Sequence, residues 1–214
     1  MSKPEVMIAG AVVSDSVFSV GRSMYVSKPY SKAIELSGEA LGLLRELSLG
    51  EALTLSSLAQ KSGLSRAKTD RMLKRLQNAG MVKYACVATD YSMFKLWLPS
   101  DVTPPRTARE ACRLAVLGTF FTLAAQEAPG FRWRLIRQKS SPLLGELVFT
   151  GSKGQEKWII DAPRRGENIA EEADLYIFPT IEEARAVIPG GKKYTSDLLL
   201  LKRESPLREM IREH

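Results

Sequence analysis

Seven basic side chains crowd the stretch from Thr54 to Lys83: Lys61, Arg66, Lys68, Arg71, Lys74, Arg75 and Lys83, against the single acid Asp70. That window carries +6 of the chain's net +7. The charge is therefore local, and local positive charge recognises phosphate. Arginine forks and carboxamides can also read base edges, Arg pairing with guanine and Asn or Gln with adenine, while ammonium groups position the protein on the backbone. The candidates for such contacts are Ser65, Arg66, Lys68, Arg71, Lys74, Arg75, Asn78 and Lys83, with Gln77 as the alternative to Asn78. A solvated basic helix face is the competing explanation of the same residues.

Other chemistries find less support. His214 is the only histidine, and Cys86 and Cys112 stand alone, which excludes a Cys/His zinc site and a histidine-based triad. Glu146, Glu156 and Asp161 with Lys157 come nearest to a carboxylate–lysine metal site, yet no Asp or Glu is followed two places later by Lys. They are expected to be surface charges of a hairpin and a strand end. Gly190-Gly191-Lys192-Lys193 lacks the phosphate-loop spacing and is expected to be a basic turn. Arg132, Arg134, Arg137 and Lys139, and Arg164-Arg165, can add phosphate contacts. No catalytic residue, metal or cofactor is implied, and the chain is not expected to be an enzyme.

The elements that position the basic residues follow from caps and apolar spacing. Ala40, Leu41, Leu43, Leu44 and Leu47 recur at helical spacing after Ser37, a plausible N-cap, and the helix ends near Gly50. A short helix over 56–62 stops at Gly63, and Leu64 plugs the core. Ser65 then caps a third helix running over 66–78. Thr69, Met72, Leu73 and Leu76 fall on its inner side, and Ala67, Arg71, Lys74 and Asn78 on the outer. Two strand-like runs, 81–87 and 91–98, the second alternating Phe94, Leu96 and Leu98 with Met93, Lys95 and Trp97, are joined by the polar turn Ala88-Thr89-Asp90 and read as a hairpin.

At 214 residues, with 44% hydrophobic and 26% charged content, the chain can bury a core as one domain or two small ones. Prolines 99, 104 and 105 mark a boundary. The reading is an extended arm over 1–36, a helix-turn-helix domain over 37–100 and a third region over 106–214. No apolar run reaches membrane-spanning length, and 7–20 make a poor secretory signal, so a cytoplasmic protein without a membrane partner is expected.

Residues 37–98 resemble the winged helix-turn-helix of the MarR, IclR and ArsR groups of bacterial regulators. The likeness is carried by Leu58-Ala59, Gly63-Leu64-Ser65, Leu73, Leu76 and Gly80-Met81. It implies a recognition helix at 66–78 in the major groove of double-stranded DNA and transcription regulation. The wing tip departs from the pattern, since 88–90 holds no arginine.

The second half reads as a long helix over 107–126, strands over 131–136, 145–150, 157–161 and 173–178, a helix over 181–187 capped by Thr180, and a final strand over 198–201. This is an α+β arrangement with a mixed sheet, for dimerisation, sensing or partner binding. The long helix can serve as the element of a possible homodimer. The order also resembles, in topology, the degraded PD-(D/E)XK fold of replication-relaxation proteins of mobile elements. A DNA-binding regulator is the expected function; a mobile-element replication protein or metal-dependent nuclease, and a protein-interaction module, are the alternatives.

Overall fold

Among the described residues, six helices start on a Ser or Thr whose hydroxyl accepts the N–H three positions on. Ser37 accepts from Ala40, Thr54 from Ser57, Ser65 from Lys68, Thr107 from Glu110, Thr180 from Glu183 and Ser196 from Leu199. Each bond satisfies a donor that a helix N-terminus leaves orphaned, and so fixes where the helix begins. The computed structural model describes residues 7–8, 11–12, 15–30, 32–137, 142–151 and 154–214. Its helices are α1 (Gly38–Gly50), α2 (Leu55–Ser62), α3 (Arg66–Asn78), α4 (Ala108–Glu127), α5 (Ile181–Val187), α6 (Asp197–Lys202) and α7 (Leu207–Met210).

Strands β1 (Met7–Ile8) and β2 (Ala11–Val12) make a small antiparallel pair. Strands β3 (Gly21–Val26), β4 (Leu53–Thr54), β5 (Val82–Thr89) and β6 (Met93–Pro99) form an antiparallel sheet in the order β3-β5-β6-β4. The expected hairpin is β5–β6, with Ala85 opposite Leu96. Part of the stretch read as an extended arm becomes β3, which lies along β5 with Tyr25 opposite Cys86. The second sheet contains β7 (Arg132–Ile136), β8 (Leu144–Gly151), β9 (Gly154–Asp161), β10 (Leu175–Phe178), β11 (Lys193–Ser196) and β12 (Arg212–Glu213), in the order β12-β11-β10-β9-β8-β7. It is mixed: β7, β8 and β9 run as an antiparallel meander, β9, β10 and β11 are parallel, and β12 returns antiparallel. The α+β class read from the sequence is the observed one.

The final strand is not at 198–201. Those residues lie in α6, and β11 ends just before them. Four consecutive leucines carry neither a strand nor a helix period; the Ser196 cap, with Leu200 turned into the core, settles them as helix.

Helix α4 is buried from Ala111 to Ala124 on every side, the pattern of a helix enclosed by other elements. One core gathers Val87 and Leu96 of the first sheet, Leu114, Leu117 and Phe120 of α4, and Leu147, Ile160 and Leu175 of the second sheet. The helix is therefore used up inside the chain and is not available as a dimer element. No helix among the described residues is long and apolar enough to cross a membrane.

Close approach within this core makes Gly118 specific. A Cβ there would stand 2.5 Å from the carbonyl oxygen of Ala52 and 2.9 Å from Leu53 Cδ2. Helix propensity favours Ala over Gly by about 1 kcal/mol, but the backbone clash outweighs it. Gly118→Ala should lower stability by about 1–3 kcal/mol, as overpacking does. Exposed Gly42 on α1 has nothing within 4 Å of its Cβ position, and Gly42→Ala should raise stability by about 0.5–1 kcal/mol. Opposite shifts of the two unfolding midpoints are the check; a stabilised Gly118→Ala protein would show that α4 is not packed this way.

Candidate nucleic-acid interface

The turn between α2 and α3 is set by Gly63, which sits at φ 68 and donates its N–H to the end of α2. A side chain at that φ would be strained, so glycine lets the chain turn within three residues. Leu64 then packs against the core of Leu43, Leu47, Leu58, Leu73, Leu76 and Trp97, and Ser65 starts α3. Each of those six core side chains is at most 1% exposed. The core fixes the rotation of α3: Thr69, Met72, Leu73 and Leu76 face inward, as their spacing predicts, and Arg66, Ala67, Arg71, Lys74 and Arg75 are exposed on the other side.

Gln77 does not join that outer side. It is 9% exposed, and its backbone carbonyl accepts the N–H of Tyr30 at 3.2 Å. Four residues after Leu73, it continues the inner stripe, which removes it as an alternative reader of adenine.

The predicted residues differ in how they are held. Lys68 reaches Glu39 of α1 at 2.5 Å, and Lys74 reaches Asp70 one turn earlier at 2.6 Å. Exposed pairs of this kind are worth about 0–1 kcal/mol each, so a phosphate can replace the carboxylate cheaply. Arg66 and Arg71 make no ion pair among the described residues and stand exposed. Arg75 donates to the Glu35 carbonyl at 3.0 Å. At the far end of α3, Asn78 is half-buried, and its backbone carbonyl accepts the Lys32 N–H at 3.0 Å. Lys83, at the start of β5, gives its Nζ to the Ser100 carbonyl at 2.7 Å. Arg66, Lys68, Arg71, Lys74 and Arg75 thus share α3, which Ser65 caps and Asn78 ends, while Lys83 lies beyond it on β5.

Sequence reasoning missed what β3 brings to the wing. Arg22 of β3 grips Asp90 at the hairpin tip through Nε and Nη2, the latter at 2.8 Å. Hydrogen bonding to this guanidinium holds the Asp90 carboxyl below its usual range. Exposed Tyr25 meets the Tyr84 ring edge-on at 6.3 Å, and Lys95 Nζ lies 4.3 Å above the same ring. The alternation of β6 carried a signal for Lys95. Nothing in residues 1–30 signalled that 21–26 pair with the hairpin.

Of the other basic and acidic candidates, Arg132 is exposed at the start of β7 and makes no ion pair among the described residues, while most of the rest are paired within the fold. Arg164, read as a phosphate contact, is buried against Asp197 at 2.6 Å. Arg165 pairs with Asp15 at 2.8 Å and with Glu183. Arg134 pairs with Glu146, while Arg137 lies 3.5 Å from Glu51. Lys139 lies outside the described residues. Lys192 donates to the Ala173 carbonyl at 2.7 Å, in a turn that leads into β11.

Two of the three carboxylates, Glu146 and Asp161, are not the surface charges expected of them; Glu156 stays half-buried on β9. Asp161 is fully buried; it accepts from Arg113 and from the Ala170 N–H at 2.8 Å. Glu146 is 8% exposed. Arg134 binds it through two nitrogens and Lys157 reaches it at 2.6 Å. The hydrogen bonds from Arg134, reinforced by Lys157, pull its carboxyl down from 4.5 to about 2. Among the described residues no group of three or more His, Cys, Asp or Glu is placed to hold a metal ion.

A carboxylate whose folded pKa is depressed stabilises fully above its ordinary pKa and loses that contribution as pH falls through the folded value. Glu146→Gln should therefore be less stable than wild type at pH 7, and the gap should narrow below pH 4.5 and close toward about 2. Urea midpoints across that window check it; a gap independent of pH would contradict the ion-pair assignment.

From Ala40 in α1 to Ala85 in β5, the chain matches the family model of the IclR helix-turn-helix domain, residues 40–85. No curated protein matches the chain, and no solved structure does. With α2, the Gly63 turn, α3 and the β5–β6 hairpin in place, this segment is a winged helix-turn-helix of the DNA-binding regulator type.

Proposed function

We propose that the chain is a transcription regulator that reads double-stranded DNA sequence-specifically by laying α3 in the major groove. The outer face of α3 carries this reading, with exposed Arg66 and Arg71 beside the weakly paired Lys68 and Lys74. Arg71 reads a base edge, and Lys68, Lys74 and Arg75 hold phosphates. Asn78 adds a contact at the far end through its side-chain amide, and Lys83 does so once DNA displaces the Ser100 carbonyl from its Nζ. The second sheet, joined to the winged helix through α4, dimerises, senses or contacts a partner, and the protein acts in the cytoplasm of a bacterial cell. A homodimer suits two half-sites about one helical turn apart. The chain does no chemistry of its own on the DNA: Glu146 and Asp161 spend their oxygens on Arg134, Lys157, Arg113 and a backbone N–H.

Phosphate contacts release counterions, so affinity should fall steeply with salt. Lys74→Ala should weaken binding to all sequences alike and reduce the salt slope by about 1. Titrating a fluorescent duplex across a salt series measures both. A slope and affinity equal to wild type would remove Lys74 from the interface.

A further inference from the structure

A cleft of about 390 Å³ opens where the start of α4, the residue after β7 and the loop beyond β9 meet. Its wall includes Arg106, Arg113, Arg137, Glu110, Glu167 and Leu143. The volume falls in the range of small-molecule sites, and the wall is mostly polar and charged, with Pro104, Pro142 and Leu143 as its apolar part.

The three guanidiniums are held very differently. Arg113 is buried and saturated, donating to Asp161, to Glu167 at 2.7 Å and to the Leu143 carbonyl at 3.2 Å; it is fixed wall. Arg137 is loosely held, 3.5 Å from Glu51 and 3.8 Å from Glu110. The Arg106 guanidinium pairs with no acid among the described residues. Glu110 cannot easily follow an incoming ligand. Its carboxylate accepts the N–H of Arg106, the residue before the cap, at 2.9 Å, while its own N–H donates to the Thr107 hydroxyl that caps α4. Two guanidiniums with spare donors therefore face one cleft, and such forks match planar or tetrahedral oxyanions.

We infer that this cleft binds a small-molecule anion, a carboxylate or a phosphate ester, between Arg106 and Arg137. Its occupancy reaches the winged helix through one residue. Glu51 is the residue at which α1 ends, held at φ 59, and an anion on Arg137 takes that guanidinium away from it. Binding itself is independent of the DNA reading. Only its consequence for DNA rests on that reading, so the test is run without DNA.

Calorimetric titration of the full chain at constant ionic strength, with phenyl phosphate and with succinate as probes, measures the affinity and separates the two oxyanion classes. Saturable binding of either probe is expected, weakened at least about 10-fold in Arg137→Gln and tightened several-fold in Glu51→Gln, which removes the internal competitor. Both side chains are partly exposed, so unfolding midpoints without ligand should stay at the wild-type value and show that the variants are folded. No saturable heat with either probe, or equal affinity in wild type and Arg137→Gln, overturns the site. Unchanged affinity in Glu51→Gln overturns the link to α1.

Discussion

Replacing Arg164 by methionine should lower the free energy of unfolding by about 3–5 kcal/mol, the cost of leaving a buried charge without its partner. Arg164 and Asp197 have side chains with no exposed surface. Arg164 donates to the Asp197 carboxylate at 2.6 and 3.3 Å, to the Ile177 carbonyl at 2.8 Å and to the Ala162 carbonyl at 3.1 Å. Asp197 also accepts from Ser16 Oγ at 2.6 Å, so one network ties the segment ahead of β3 to β10 and to the start of α6. Desolvating both ions is itself costly, so the double variant Arg164→Met with Asp197→Leu should recover most of the loss. Chemical denaturation of the four proteins of the cycle is the check. A single-variant loss below about 1 kcal/mol would show that the pair is solvated.

At the interface, Arg71→Ala should weaken binding to the preferred site by about 1–3 kcal/mol, or roughly 5- to 150-fold, and relax the choice of base at one position. Arg71 is exposed in the middle of α3, with no internal partner among the described residues to release first. The arrangement asks different things of Lys74, whose pair with Asp70 is exposed and weak. Loss of Arg71 changes which sequence is bound, whereas loss of Lys74 changes how tightly any sequence is bound. Competition titrations against single-base variants of the site distinguish the two. Equal discrimination by Arg71→Ala and wild type would place the base-reading residue elsewhere.

Much of the winged helix was legible because its determinants are local. Ser37 and Ser65 cap their helices, Gly63 takes the left-handed turn, and the apolar positions of α3 fall on one face as their spacing requires. The same held for α5 and its Thr180 cap. What could not be read depends on partners distant in sequence. Residues 21–26 become a strand only because β5 offers an unpaired edge. Asp161 looked like a strand-end surface charge until Arg113, from α4, enclosed it. Arg164 looked like a phosphate ligand, although its partner Asp197 lies 33 residues away. Gln77 marks the limit of phase reasoning within a helix: a polar side chain on the inner stripe keeps its place when neighbouring chain covers it, here the segment that includes Tyr30.

Selection of bound fragments from a mixed genomic duplex pool, with wild type and Arg71→Ala in parallel across a salt series, puts the reading by α3 to the test. The wild type should retain intact fragments sharing one motif, with retention falling as salt rises, and Arg71→Ala should retain fewer fragments with a degenerate motif. Retention without any shared motif, or identical motifs from the two proteins, would contradict sequence reading by α3.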